Sequence, residues 1–199
     1  ENISYKFSGF SAYELFIDIQ KLNKKEISKS KGQIINDHKN INNWLNQFDF
    51  RKISIRLENL IEGGLSAEVL LPGTGACSIT DAVELTKMAV NAGVGGVLML
   101  PPWYYKNPSD AGLFRFFSEV IQRVADNRLQ IYLYHFPQMS ATPITFGLIE
   151  MLLKEYPNTV AGMKDSSGDL ENMAGAAESF PGFEVMSGSE HCFYPLLQR

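Results

Sequence analysis

Gln130-Ile131-Tyr132-Leu133-Tyr134-His135-Phe136-Pro137 and, one helix later, Val160-Ala161-Gly162-Met163-Lys164-Asp165-Ser166-Ser167-Gly168 decide how this chain folds. Each is a short apolar run closed by polar or turn-forming residues, the signature of a buried strand. Between them Thr145 can cap an amphipathic helix bearing Leu148, Ile149, Leu152 and Leu153. Strand, helix, strand at this spacing is a parallel βαβ unit.

The alternation continues in both directions. Apolar runs at residues 67–71 and 96–100 precede the unit, and another at 183–187 follows it. Asp81 can cap a helix with Val83, Leu85, Met88 and Ala89, closed by Gly93. The next helix carries Leu113, Phe114, Phe117, Val120, Ile121 and Val124, and Asp169 can cap one with Met173, Ala176 and Ala177. Strand starts recur every 23 to 34 residues, so the sheet is parallel and covered by helices. No Gly-x-Gly-x-x-Gly turn follows a strand, which disfavours a doubly wound dinucleotide fold. The pattern predicts an α/β fold of the (β/α)8 TIM-barrel type, incomplete because five strands fall short of eight.

Residues 1–50 differ in composition from residues 51–199, holding two of the 16 glycines and none of the nine prolines. The segment reads as mainly helical. Ser11 opens a capping box before Leu15, Phe16, Ile19 and Leu22, and a second amphipathic stretch carries Ile41, Trp44, Leu45 and Phe48. His38 reads as a solvated helix-start residue. The 199 residues carry a net charge of −4, which leaves no basic stripe for a nucleic acid. No apolar run is long enough to span a membrane. Cys77 and Cys192 read as reduced packing thiols, and the start at Glu1 shows no signal peptide, so the expected location is cytoplasmic. With no initiator Met, the chain reads as a processed or excised piece.

In a barrel, chemistry gathers at the carboxyl ends of the strands. Lys164 ends an apolar strand and would point into the barrel mouth, where desolvation disfavours the ammonium form. A neutral amine there can attack a ketone and form a Schiff base, an electron sink for carbon–carbon cleavage. The alternative is a structural lysine paired with Asp165 or Glu190. Tyr134 ends the preceding strand, about 4.8 Å away across a ladder, where a tuned phenol can shuttle protons. Tyr132 shares its face and His135 points the other way. Packing is the alternative role for Tyr134.

Leu71-Pro72-Gly73-Thr74-Gly75, Tyr104-Tyr105, Tyr134-His135-Phe136-Pro137 and Gly162-Met163-Lys164-Asp165-Ser166-Ser167-Gly168 stand in an order and spacing that resembles the dihydrodipicolinate synthase / N-acetylneuraminate lyase family. The resemblance covers about residues 51–199. It implies a class I lyase or aldolase acting on a pyruvate-type 2-oxo acid, commonly as a homotetramer, with no metal or organic cofactor. It further implies Lys164 as the Schiff-base lysine and Tyr134 as the proton shuttle. Tyr105 matches the tyrosine that reaches a neighbouring subunit's site, and Tyr104, Gly188 and Ser189 would contact substrate.

Two departures shape the expected activity. The family's Gly-Thr-Thr-Gly-Glu loop, which holds the substrate carboxylate, has no counterpart here, and Gly73-Thr74-Gly75 does not replace it. The chain thus reads as the middle of a barrel, about strands 3 to 7, behind a divergent amino-terminal segment. Met139 stands where the synthase branch has a carboxylate-gripping arginine, and a thioether cannot make that bidentate contact. Cleavage or dehydration of a 2-oxo-3-deoxy sugar acid is therefore favoured over the dihydrodipicolinate reaction. The competing function is a catalytically silent truncated member or assembly module.

Overall fold

The computed structural model describes residues 52–198. The helices expected around Ser11 and Trp44, and His38, lie outside the described residues. The chain divides into two compact units, Glu1–Leu65 and Ser66–Arg199. In the first, helix α1 (Lys52–Glu62) ends where Leu65 N–H donates to Leu60 O, with Gly64 at φ +97° making the left-handed turn that closes a helix.

The second unit is an alternation of strands and helices. In chain order it runs through a 3-10 turn (Ala67–Val69), α2 (Ile79–Asn91), β1 (Val97–Met99), α3 (Asp110–Val124) and β2 (Ile131–His135). It continues through α4 (Pro137–Ser140), α5 (Phe146–Glu155), β3 (Val160–Asp165), α6 (Leu170–Ser179), β4 (Glu184–Ser187) and α7 (Glu190–Leu197). The four strands form one sheet in the order β1-β2-β3-β4, every pair parallel. All four therefore present their carboxyl ends on one side, which is what places Tyr134, Lys164 and Met186 in one row.

The interior is where the apolar runs predict it. Val97, Met99, Ile131, Leu133 and Met163 are completely buried, as are Phe117, Leu148, Leu152 and Met173 from the helices. Burying each such side chain contributes roughly 1.5–3 kcal/mol. Thr145 caps α5 by accepting from Leu148 N–H, and Asp169 caps α6 by accepting from Glu171 and Asn172 N–H. Three helix-level expectations change. Ser78, rather than Asp81, caps α2, accepting from Asp81 N–H and leaving Asp81 in the first turn, where its charge favours the helix start. In α3, Phe116 joins the buried face while Phe114 is half-exposed. In α6, Ala174 is buried and Ala177 exposed.

The run at 67–71 is not a strand. Val69 and Leu70 N–H turn back to Ser66 and Ala67 carbonyls, and Val69 is exposed. Sheet pairing begins at Pro72, whose carbonyl accepts from Leu98 N–H at 2.9 Å, and Thr74 N–H donates to Leu98 O at 2.9 Å. Pro72 has no N–H to give, so the segment offers only those two groups and makes a single parallel bridge, Gly73 to Leu98.

Candidate functional site

Tyr134 and Lys164 are direct register partners on β2 and β3. Lys164 Nζ stands 5.0 Å from the centroid of the Tyr134 ring. Both are withdrawn from water, at 4% exposure for Tyr134 and 8% for Lys164. A parallel ladder in register fixes such a pair without help from loops. Met186 of β4 is the next register partner of Lys164, so an apolar side chain shares its row. One row towards the strands' amino ends, the Tyr132 hydroxyl donates to Glu184 at 3.0 Å across Gly162. Burial and then the Glu184 carboxylate push the Tyr132 phenol's pKa up. Tyr132 is thus committed as a neutral donor under the lysine.

The opposite face of the same strand ends carries His135 and Asp165, also register partners. His135 Nδ1 accepts from Ile144 N–H at 3.0 Å, which leaves the ring proton on Nε2. Burial lowers the His135 pKa, against the opposing pull of Asp165 and Asp169. Asp165 is completely buried. One of its oxygens accepts from Ser167 N–H and the other from the Asn172 side-chain amide, each at 2.7 Å. Strand alternation therefore sends Asp165 away from the Lys164 face, into bonds with α6.

The turn after β3 closes the site from above. Ser166 Oγ donates to the Tyr134 hydroxyl at 3.5 Å, a long contact. Gly188 packs so closely on Ser166 that any side chain at 188 would collide with its hydroxyl, and its N–H donates to Asp165 O at 2.7 Å. Ser189 N–H bonds Ser187 Oγ and its carbonyl accepts from the same hydroxyl, so this turn is self-bonded. Gly188 therefore lies against the Lys164 turn, and Ser189 opens α7 one residue on.

Tyr104 and Tyr105 are placed differently. They sit in the loop after β1, 75% and 63% exposed, with rings edge to face at 5.5 Å. Met139 is exposed on α4. A cleft of about 530 Å3 opens on the His135 side, among Gln138, Ile144, Ser167, Asp169 and Asn172. The residue reading missed the Asp165–Asn172, His135–Ile144 and Tyr132–Glu184 contacts. Two of these tie a strand residue to the loop or helix that follows, and the third spans 52 positions between strands. None of the three leaves a local sequence pattern.

A model of the dihydrodipicolinate synthetase family matches residues 64–199. The chain is 36% identical over 129 residues to the 4-hydroxy-tetrahydrodipicolinate synthase of Thermus thermophilus, covering 64% of this chain and 42% of that protein. The structure of dihydrodipicolinate synthase from Agrobacterium tumefaciens superposes with a TM-score of 0.70 at 28% identity, covering 74% of this chain and 52% of that one. A chloride-inhibited dihydrodipicolinate synthase from Acinetobacter baumannii, complexed with pyruvate, gives 0.67 at 26% identity over 75% and 50%. The chain thus spans about half the length of the proteins it matches. Those neighbours are α/β barrels, and the four-stranded parallel sheet corresponds to part of such a fold.

Proposed function

Because this chain belongs to the dihydrodipicolinate synthetase family, we propose that it is a class I lyase or aldolase acting on a 2-oxo acid through a Schiff base on Lys164. The observation that carries this reading is the buried amine held 5.0 Å over the ring of its register partner, Tyr134. The amine attacks the C2 ketone, and loss of water from the carbinolamine gives the iminium. Loss of the C4 hydroxyl proton breaks the C3–C4 bond, releasing C4 as an aldehyde and sending the electron pair into the iminium; the resulting enamine is protonated at C3 and hydrolysed by water to return the amine and the shortened 2-oxo acid. Each step moves a proton, and Tyr134, the buried register partner of Lys164, serves as the acid and base that carries it.

Pyruvate and 2-oxo-3-deoxy sugar acids fit this chemistry. The exposed thioether of Met139 offers no bidentate grip for a second carboxylate, which favours the sugar acids over the dihydrodipicolinate reaction. Gly188 beside Ser166 and Ser189 after it supply backbone at the substrate end with Tyr104, and Tyr105 reaches a neighbouring subunit's site. The homotetramer and the cytoplasmic setting belong to the same reading. Among the described residues no helix is long and apolar enough to cross a membrane.

The test is borohydride reduction of the chain with pyruvate, followed by intact mass. A single added reduced pyruvyl group is the expected result. Absence of any adduct in a folded sample would leave the silent family member or assembly module as the better reading.

A further inference from the structure

We propose that Asp165 is the positioning residue of this site, a buried side chain that fixes the strand end bearing Lys164 through its bonds to the turn and the helix behind it. The proposal rests on the Schiff-base reading, but its test does not depend on pyruvate alone. Asp165 is fully buried on the helix-facing side of β3, so it touches no substrate bound at the amine. A carboxylate in that position is tolerated only when its oxygens are bonded. Its two partners, Ser167 N–H and the Asn172 amide, lie on the turn and on α6, so one side chain ties the strand end to the next helix.

The backbone around it is bonded from three further sides. Gly188 N–H, from the end of β4, reaches Asp165 O at 2.7 Å. Ser166 N–H reaches His135 O on β2 at 2.8 Å, and the Gln138 amide of α4 reaches Ser167 O at 2.6 Å. Residues 165–167 are thereby held by β2, α4, α6 and β4 at once, and Lys164 is the residue directly before them. The direction in which the lysine leaves the strand follows from that anchorage.

The groups bonded to Asp165 are both donors, which suits an acceptor-only carboxylate. His135 of β2 is its register partner, Asp169 at the start of α6 acts with Asp165 on the His135 ring, and Lys164 precedes it on its own strand. A carboxylate on the residue next to Lys164 favours the cationic form of the amine and of the iminium that replaces it.

The test compares wild type, Asp165→Asn, Asn172→Ala and the exchange Asp165→Asn with Asn172→Asp. Two quantities are read at Lys164: the rate of borohydride trapping with pyruvate, and the pH profile of competitive acetylation measured on the Lys164 peptide. Asp165→Asn should slow trapping by about 10- to 100-fold through misplacement of the amine, and shift the acetylation profile to lower pH. The exchange restores the side-chain bond between positions 165 and 172 and returns the charge to that pair, so it should recover both readings. Wild-type rate and profile in Asp165→Asn would overturn the proposal, as would a slowed rate with an unmoved profile or an exchange that recovers nothing. If Asp165→Asn does not fold, Asn172→Ala removes one bond and keeps the charge; it should slow trapping without moving the profile, and wild-type trapping there overturns the proposal. Should wild type itself fail to trap pyruvate, the Schiff-base reading falls, while the acetylation profiles still decide the role of Asp165.

Discussion

Tyr134 and the Tyr104-Tyr105 pair follow neighbouring strands of one parallel sheet, and their surroundings are opposite. Tyr134 is buried over Lys164, whereas Tyr104 and Tyr105 stand in solvent among the described residues. The difference lies in the backbone. β2 has five residues; its ladder to β1 runs as far as Leu133 and its ladder to β3 as far as His135, so Tyr134 is held within the sheet by β3. β1 has three, and Pro101-Pro102 follow almost at once, with no N–H to extend the ladder. The chain then leaves the sheet, with Tyr104 N–H donating to Cys77 Sγ of the preceding loop, Lys106 Nζ to Trp103 O, and Asn107 at φ 51°. A strand-end aromatic thus joins the site where pairing continues past it, and faces outward where proline ends the pairing.

Substitutions test that contrast, beginning with the largest effect. Lys164→Arg should abolish borohydride trapping, because a guanidinium stays protonated and cannot attack a carbonyl; intact mass reads this directly, and an adduct that persists removes Lys164 from the reaction. Tyr134→Phe keeps the ring over the amine and removes the hydroxyl. Turnover in the full-length protein should fall by about 10²–10⁴-fold while trapping survives, and unchanged turnover would return Tyr134 to a packing role. Tyr105→Phe in this chain should leave the trapping rate where it is, since its hydroxyl lies in solvent. A slowed trapping rate in Tyr105→Phe would erase the distinction between the two regions.

The smallest expected effect lies behind the site. Burial holds the His135 pKa below its usual 6.5, so the unfolded chain binds this proton more readily than the folded one. Its contribution to stability is complete above pH 6.5 and declines as pH falls from there towards the lowered folded value. Protonation also removes the acceptor for Ile144 N–H. Urea melts at pH 7.5 and 5.5 should show lower stability at the acid pH, and His135→Gln should flatten that difference. An equal drop in the variant would place the acid sensitivity elsewhere.

Much of this was legible in the residues, for reasons of distance along the chain. Lys164 and Tyr134 share a face and a row because alternation and strand adjacency are short-range rules, and both strands announce themselves as apolar runs. Thr145 and Asp169 act within three residues of their helix starts, so they too can be read directly. The run at 67–71 misleads because apolar composition does not distinguish a strand from an exposed turn. Asp81 is mistaken for a cap because Ser78, three residues earlier, competes for the same helix end. The anchorage of Asp165 escapes sequence reading altogether, since nothing at position 165 reveals which way the turn brings Asn172.

Peptide mapping of the reduced pyruvate adduct tests the central claim most directly. Lys87, Lys106 and Lys154 are exposed, and Lys164 is buried over Tyr134. A Schiff base made by the site places the adduct on Lys164 alone, despite its burial. An adduct spread over Lys87, Lys106 and Lys154, with Lys164 unmodified, would contradict the account.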